Sequence, residues 1–179
     1  MSDESQKQTT EGITFRIPSS SISQLREESK KKQVSLNTLV NQILKDHLDW
    51  HASAALAGFF YVPRSTFTRL VDHLTEEEIS ELAIIIAKRV IDVGLLLRGE
   101  FTLLSFLNIL ENWSRISSFP YKHAVANEVH NFIIQHDMGS NYSFFVKEIF
   151  QYIFQEIFKI RLDFTITDKT VRFKFRESQ

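Results

Sequence analysis

The run Ile13-Thr14-Phe15-Arg16-Ile17 alternates apolar and polar side chains and stops at Pro18, which cannot donate to a sheet ladder. The pattern predicts one short strand. A lone strand of this length leaves its backbone groups unpaired, and no nearby segment offers a partner. The economical solution is a homodimer in which the same strand from two chains pairs antiparallel. Ile13, Phe15 and Ile17 then point into a shared core, while Gly12, Thr14 and Arg16 project from the opposite face. Such a ribbon is narrow enough to enter the major groove of DNA.

Two helices are predicted to follow. Ser19 to Ser21 offer N-caps for a first helix that includes Ile22, Leu25 and Arg26 and runs to about Lys32. Ser35 signals a second start, after which Leu36, Leu39, Val40, Ile43, Leu44 and Leu48 recur at spacings of three and four. This stripe is apolar enough to complete the shared core. The helix extends into the alanine-rich stretch from His51 to Ala57 until Gly58 offers a stop, so a linker or helix extension is expected over 52–63. The formal net charge of -1 gives no bulk attraction to a polyanion. From Gly12 to Leu48, however, Arg16, Arg26, Lys30, Lys31, Lys32 and Lys45 outnumber Glu27, Glu28 and Asp46.

With its strand, proline, capped helix and second capped amphipathic helix, the stretch from about Gly12 to Trp50 resembles the ribbon-helix-helix family of the Arc and Met repressors. The residues that carry the resemblance are Ile13-Thr14-Phe15-Arg16-Ile17-Pro18, the helix start at Ser19 to Ser21, and Val34-Ser35-Leu36-Asn37-Thr38. In that family the outward strand side chains read base edges. The resemblance therefore implies this role for Thr14 and Arg16, with Gly12 at the third outward position. It also implies that Ser35 and the amides near Asn37 grip a phosphate, as a helix N-terminus can. Arg16 has the fork to donate to guanine O6 and N7, and Thr14 offers a hydroxyl or a methyl. Lys32, with Lys30 and Lys31, would add salt-dependent affinity for the backbone, although a lysine triplet alone more often marks a solvated helix face. The chain departs from the family in having Lys32-Gln33 where a glycine often ends the first helix.

The remainder predicts a mainly helical α+β domain over 64–179, ending in an antiparallel hairpin. Thr75-Glu76-Glu77-Glu78 has the spacing of a capping box ahead of a long helix that ends in the region from Gly94 to Gly99. Phe101 to Trp113 is apolar on nearly every side, which suits a central helix. Ala124 to His136 fits either a helix or a half-buried strand, and the strand is preferred. From Tyr142 to Phe158 apolar residues follow helical spacing. In the last segment one register, with Asp168-Lys169 as the turn, pairs Ile166 with Val171, Phe164 with Phe173 and Leu162 with Phe175, and sets Asp163 opposite Lys174.

Several functions are disfavoured. No cysteine is present, which removes thiolate catalysis and cysteine-based metal sites. No phosphate loop, nucleophile elbow or dinucleotide fingerprint appears, so neither an enzyme nor a cofactor is expected. His47 and His51 share a helix face, with Asp46 and Asp49 nearby, but no third metal ligand is fixed by spacing and no metal is expected. His130 and His136 share a face if their segment is a strand, and would line a ligand pocket or simply form polar surface. Residues 1–11 read as a flexible polar arm without signal-peptide order, and no run suits a membrane span, so a cytoplasmic protein is expected. The leading expectation is a homodimeric transcriptional regulator that binds double-stranded DNA. Its C-terminal domain would sense a small-molecule effector, recruit a protein partner or drive higher oligomerisation. The alternative is an antitoxin that binds its operator and a toxin, and a third reading keeps the ribbon for dimerisation alone.

Overall fold

The computed structural model describes residues 11–176, apart from the side chains of residues 97 and 98. All but the last residue of the expected N-terminal arm lies outside the described residues. Two compact units divide between Lys45 and Asp46. In the first, residues 11–18 carry no regular secondary structure, because no other described segment of the chain pairs with them. A strand of this kind exists only with a ladder partner. Helix α1 spans Ser19–Lys31 and α2 spans Leu36–Asp46.

The serines at the start of α1 are helical residues rather than caps. Pro18 occupies the N-cap position with φ -53° and ψ 139°, and no side chain caps the helix there. Proline fixes the entry φ, so the three serines are carried into the first turn. At the other end Gln33 adopts φ 56°, its N–H donating to Lys30 O at 3.1 Å while Val34 N–H donates to Ser29 O at 3.0 Å. These are the two bonds of a Schellman motif, with glutamine at the left-handed position that favours glycine. Ser35 caps α2 as expected, its Oγ accepting the Thr38 N–H at 3.0 Å.

The second unit begins with a π-helical turn, His47–His51, followed by α3, Ala52–Leu56. Gly58, at φ 81°, then stops the helix, with Phe59 N–H donating to Ala54 O. The sequence did not predict α4, Arg64–Asp72, which starts directly after Pro63. Helix α5 runs Glu76–Arg98 from a complete Thr75/Glu78 capping box to Gly99 in the left-handed conformation. Gly94 does not end it. A Cβ there would lie 2.4 Å from the Phe101 ring, so this glycine admits a close-packed side chain. Helix α6, Leu103–Ile116, is capped by Thr102 and Ser105 in the same reciprocal way.

The ambiguous segment is not one strand but a hairpin. Strands β1, Tyr121–Ala126, and β2, Val129–Gln135, flank Asn127 and Glu128, which both take positive φ. Two consecutive residues of that kind make the tight turn that suits the twist of paired strands. Helix α7, Gly139–Tyr152, continues as a π-helical turn over Ile153–Ile157 before β3, Asp163–Ile166, and β4, Thr170–Arg176. The β3–β4 register is the predicted one, with Phe164 opposite Phe173 and Asp163 opposite Lys174. Leu162 falls outside the ladder, which begins at Asp163.

All four strands form one antiparallel sheet in the order β1-β2-β4-β3. One face packs on helices. Phe132, Phe173, Phe154 and Phe106 have no exposed surface, and Phe150 and Phe154 of the α7 region meet the Phe173 ring at centroid distances of 5.5 and 5.6 Å. The architecture of this unit is thus α+β, with helices and an antiparallel sheet sharing an aromatic core.

Candidate functional site

In the first unit every residue expected to meet DNA is exposed: Gly12, Thr14, Arg16, Lys32, Ser35 and Asn37. Thr14 and Arg16 lie on the segment without regular structure, while Ser35 and Asn37 sit at the start of α2. The Ser35 hydroxyl is already engaged by Thr38, both by its N–H and by its Oγ1 at 2.7 Å. The groups left to bind an anion at this helix start are therefore the first backbone amides rather than the Ser35 oxygen. Lys32 ion-pairs with Glu28 at 2.7 Å, both side chains about half exposed. Such a surface pair is weak, about 0–1 kcal/mol, and a phosphate can compete for the lysine.

The apolar side chains around these groups are not covered. Ile13 and Phe15 expose 70% and 62% of their surface, and Ile17 42%. On α2 Leu39 is buried, but Ile43 and Leu44, like Leu48 just beyond, remain exposed. Hydrophobic residues at strand and helix periods that a single chain leaves open are the kind of surface that marks an association face.

Of the histidines of the second unit, His130 and His136 are buried, while His47 and His73 are exposed. His51 Nδ1 lies 2.9 Å from the Tyr61 hydroxyl, while Asp46 and Asp49 both pair with Arg115, the latter at 3.7 Å. Both aspartates thus face a cation of α6. Among the described residues no group of three or more such side chains is arranged to hold a metal ion. His130, on β2, and His136, just beyond its end, are both buried, so neither forms polar surface, and neither borders the two chambers described below. His130 stacks on Phe175 at 4.6 Å and bonds His123, whose other ring nitrogen meets Glu111 at 2.8 Å.

His136 is fully committed to the fold. Its Nδ1 accepts the Met138 N–H at 3.2 Å, so the proton is on Nε2, which donates to Ser143 Oγ at 2.8 Å; that hydroxyl donates in turn to Thr167 O at 2.5 Å. The chain ties the strand end, α7 and the last hairpin together. Burial holds the His136 ring below the ordinary histidine pKa, against the opposing pull of Asp137 and Asp168. A serine beside a histidine invites a catalytic reading. Ser143 has no exposed surface and spends its proton on a carbonyl, so the pair is structural.

Spacing did not reveal the cavity of the second unit. An inner chamber of about 310 Å3 lies among α5, α6 and α7, lined by residues such as Val90, Val93, Ile109, Val146 and Ile149. An outer chamber of about 620 Å3 is bordered by the connector Phe59–Val62. Trp50, Phe59, Phe67, Trp113 and Tyr142 line both. Arg64 reaches the outer chamber, but its guanidinium donates to Asp137, Ser117 O and Ser118 O and lies over the Phe119 ring at 4.7 Å.

Compared with known protein families and with curated proteins, the chain matches none. No helix among the described residues is long and apolar enough to cross a membrane.

Proposed function

We propose that this chain is a sequence-specific, DNA-binding transcriptional regulator that acts as a homodimer. In this reading, residues 12–18 of two copies pair as an antiparallel ribbon that enters the major groove, with Thr14 and Arg16 facing base edges and Gly12 at the third outward position. Lys32 and the amides at Ser35 to Asn37 hold the flanking phosphates and set the register. The observation that carries the reading is the uncovered apolar set Ile13, Phe15 and Ile17, in alternation ahead of two helices, the second capped by Ser35. Pairing two copies would give those backbones a ladder and cover those side chains together with Ile43 and Leu44. The whole apolar pattern of the segment is then used.

Modules of this type also serve as antitoxins, whose tails commonly stay unordered until a toxin binds. The second unit here has an aromatic core of its own, which favours a regulator. The test is selection from the source genome by the full-length protein. A small set of fragments should be retained, with log affinity falling by about 0.9 per neutralised phosphate against log salt. Retention without preference, or affinity indifferent to salt, would contradict the proposal.

A further inference from the structure

We propose that the inner chamber of the second unit binds an uncharged, mainly apolar small molecule whose single polar group is held by the Tyr142 hydroxyl. The proposal concerns residues 46–176 alone and stands whether or not the first unit binds DNA.

Volume is the first argument. Protein interiors leave few voids larger than a water molecule, whereas this chamber measures about 310 Å3 and shares five lining residues with a larger one. That is the size range of small-molecule sites. Residues around it do not lack bulk elsewhere, since the neighbouring Phe106, Phe150 and Phe154 pack ring against ring at 5.7 to 6.3 Å. The gap is thus local to one place in an otherwise dense aromatic core.

Lining chemistry sets the class of ligand. No charged side chain borders the inner chamber, and Trp50, Trp113 and Tyr142 are the only lining residues with polar side-chain atoms. An ion entering it would lose its hydration without compensation. The one cation of the outer chamber, Arg64, already carries an aspartate and two carbonyls. A neutral occupant is the consequence.

Tyr142 supplies the polar anchor. It is 95% covered, yet among the described residues no protein group hydrogen-bonds its hydroxyl. A buried tyrosine usually finds a partner for that group. Burial also pushes the phenol well above its ordinary pKa, despite the nearby Arg64, so it enters the site as a neutral donor. A ligand hydroxyl or carbonyl at the wall of the chamber would complete it.

Trp50 and Trp113 are the only two tryptophans in the chain, and both line the chamber. Tryptophan fluorescence of the full-length protein therefore reports on the two chambers, and a substitution at Val90, which lines the inner one, tells them apart. The probes are 1-octanol and octanoate, which share a tail and differ in the charge of the head. Octanol should shift the emission saturably with one site per chain, and octanoate should bind at least tenfold more weakly. Tyr142→Phe, which keeps the ring, should weaken octanol by about three- to tenfold, the worth of one hydrogen bond. Val90→Phe, placed at the chamber wall, should abolish the response while circular dichroism stays native. The proposal is overturned by the absence of a saturable response, by octanoate binding as well as octanol, or by octanol binding that ignores both substitutions. Emission that changes with protein concentration alone would also overturn it, because a second copy would then fill the chamber.

Discussion

Phe15→Ala separates a ribbon that joins two chains from a tail that merely precedes a helix. In one chain Phe15 leaves 62% of its surface open. Burying a whole phenylalanine side chain is worth about 1.5–3 kcal/mol, so covering the open three fifths in a dimer contributes about 1–2 kcal/mol per chain. A symmetric dimer counts the residue twice, giving about 2–4 kcal/mol, or a dissociation constant raised by about thirtyfold to nearly a thousandfold. Within a lone chain the same truncation removes little, since most of the ring meets water already. Sedimentation over a micromolar concentration series measures the constant, and thermal melts at the same concentrations report its stability. Phe173→Ala is the control: it is fully buried within the second unit and should lower that unit's stability by about 3–5 kcal/mol without moving the dimer constant. If Phe15→Ala dimerises within threefold of the wild type, or the wild type is monomeric at micromolar concentration, the inward face assigned to this segment is wrong.

Gln33→Gly should raise stability, because glutamine at φ 56° pays a steric cost that glycine does not. Against that, the freer unfolded chain of glycine offsets part of the gain, leaving a few tenths to about 1 kcal/mol, visible as a higher urea midpoint; a lower midpoint would contradict the Schellman assignment. His136 predicts a pH dependence of definite sign. Its folded pKa lies below the unfolded value of 6.5, so the unfolded chain takes up the proton first as pH falls. The stability that neutral His136 contributes is complete above pH 6.5 and is lost below it, at up to about 1.4 kcal/mol per pH unit, until the folded ring also protonates. Urea midpoints from pH 8 down to the onset of carboxylate titration should show this slope in the wild type and not in His136→Gln; equal slopes in both would refute it.

What could be read from the sequence was what neighbouring residues decide among themselves. The Ser35 cap, the Gly58 stop and the Thr75/Glu78 capping box each depend on a bond reaching no more than a few residues. The β3–β4 register was legible for a related reason, since a two-residue turn leaves one alignment that keeps Phe164 and Phe173 on the same face. Features held by distant partners were not legible. Helix α4 has few apolar residues, and Arg64 at its start is anchored by Ser117, Ser118 and Asp137, far along the chain. The Asn127-Glu128 turn, which joins β1 to β2, lacks the glycine that would announce it. Likewise the cavity is made by helices whose stripes read as ordinary core. Tyr142 differs from its phenylalanine neighbours by one oxygen, and only the folded structure reveals that among the described residues no protein group bonds to it.

Specific recognition through Arg16 is tested most directly by competition binding. Wild-type protein and Arg16→Ala are each titrated, at one fixed salt concentration, with a genomic fragment the wild type selects and with a scrambled duplex of equal length and composition. The variant should keep salt-dependent affinity for both duplexes but lose about 1–3 kcal/mol of preference per half-site. An unchanged preference in Arg16→Ala, or a wild type that binds neither duplex, would contradict such recognition.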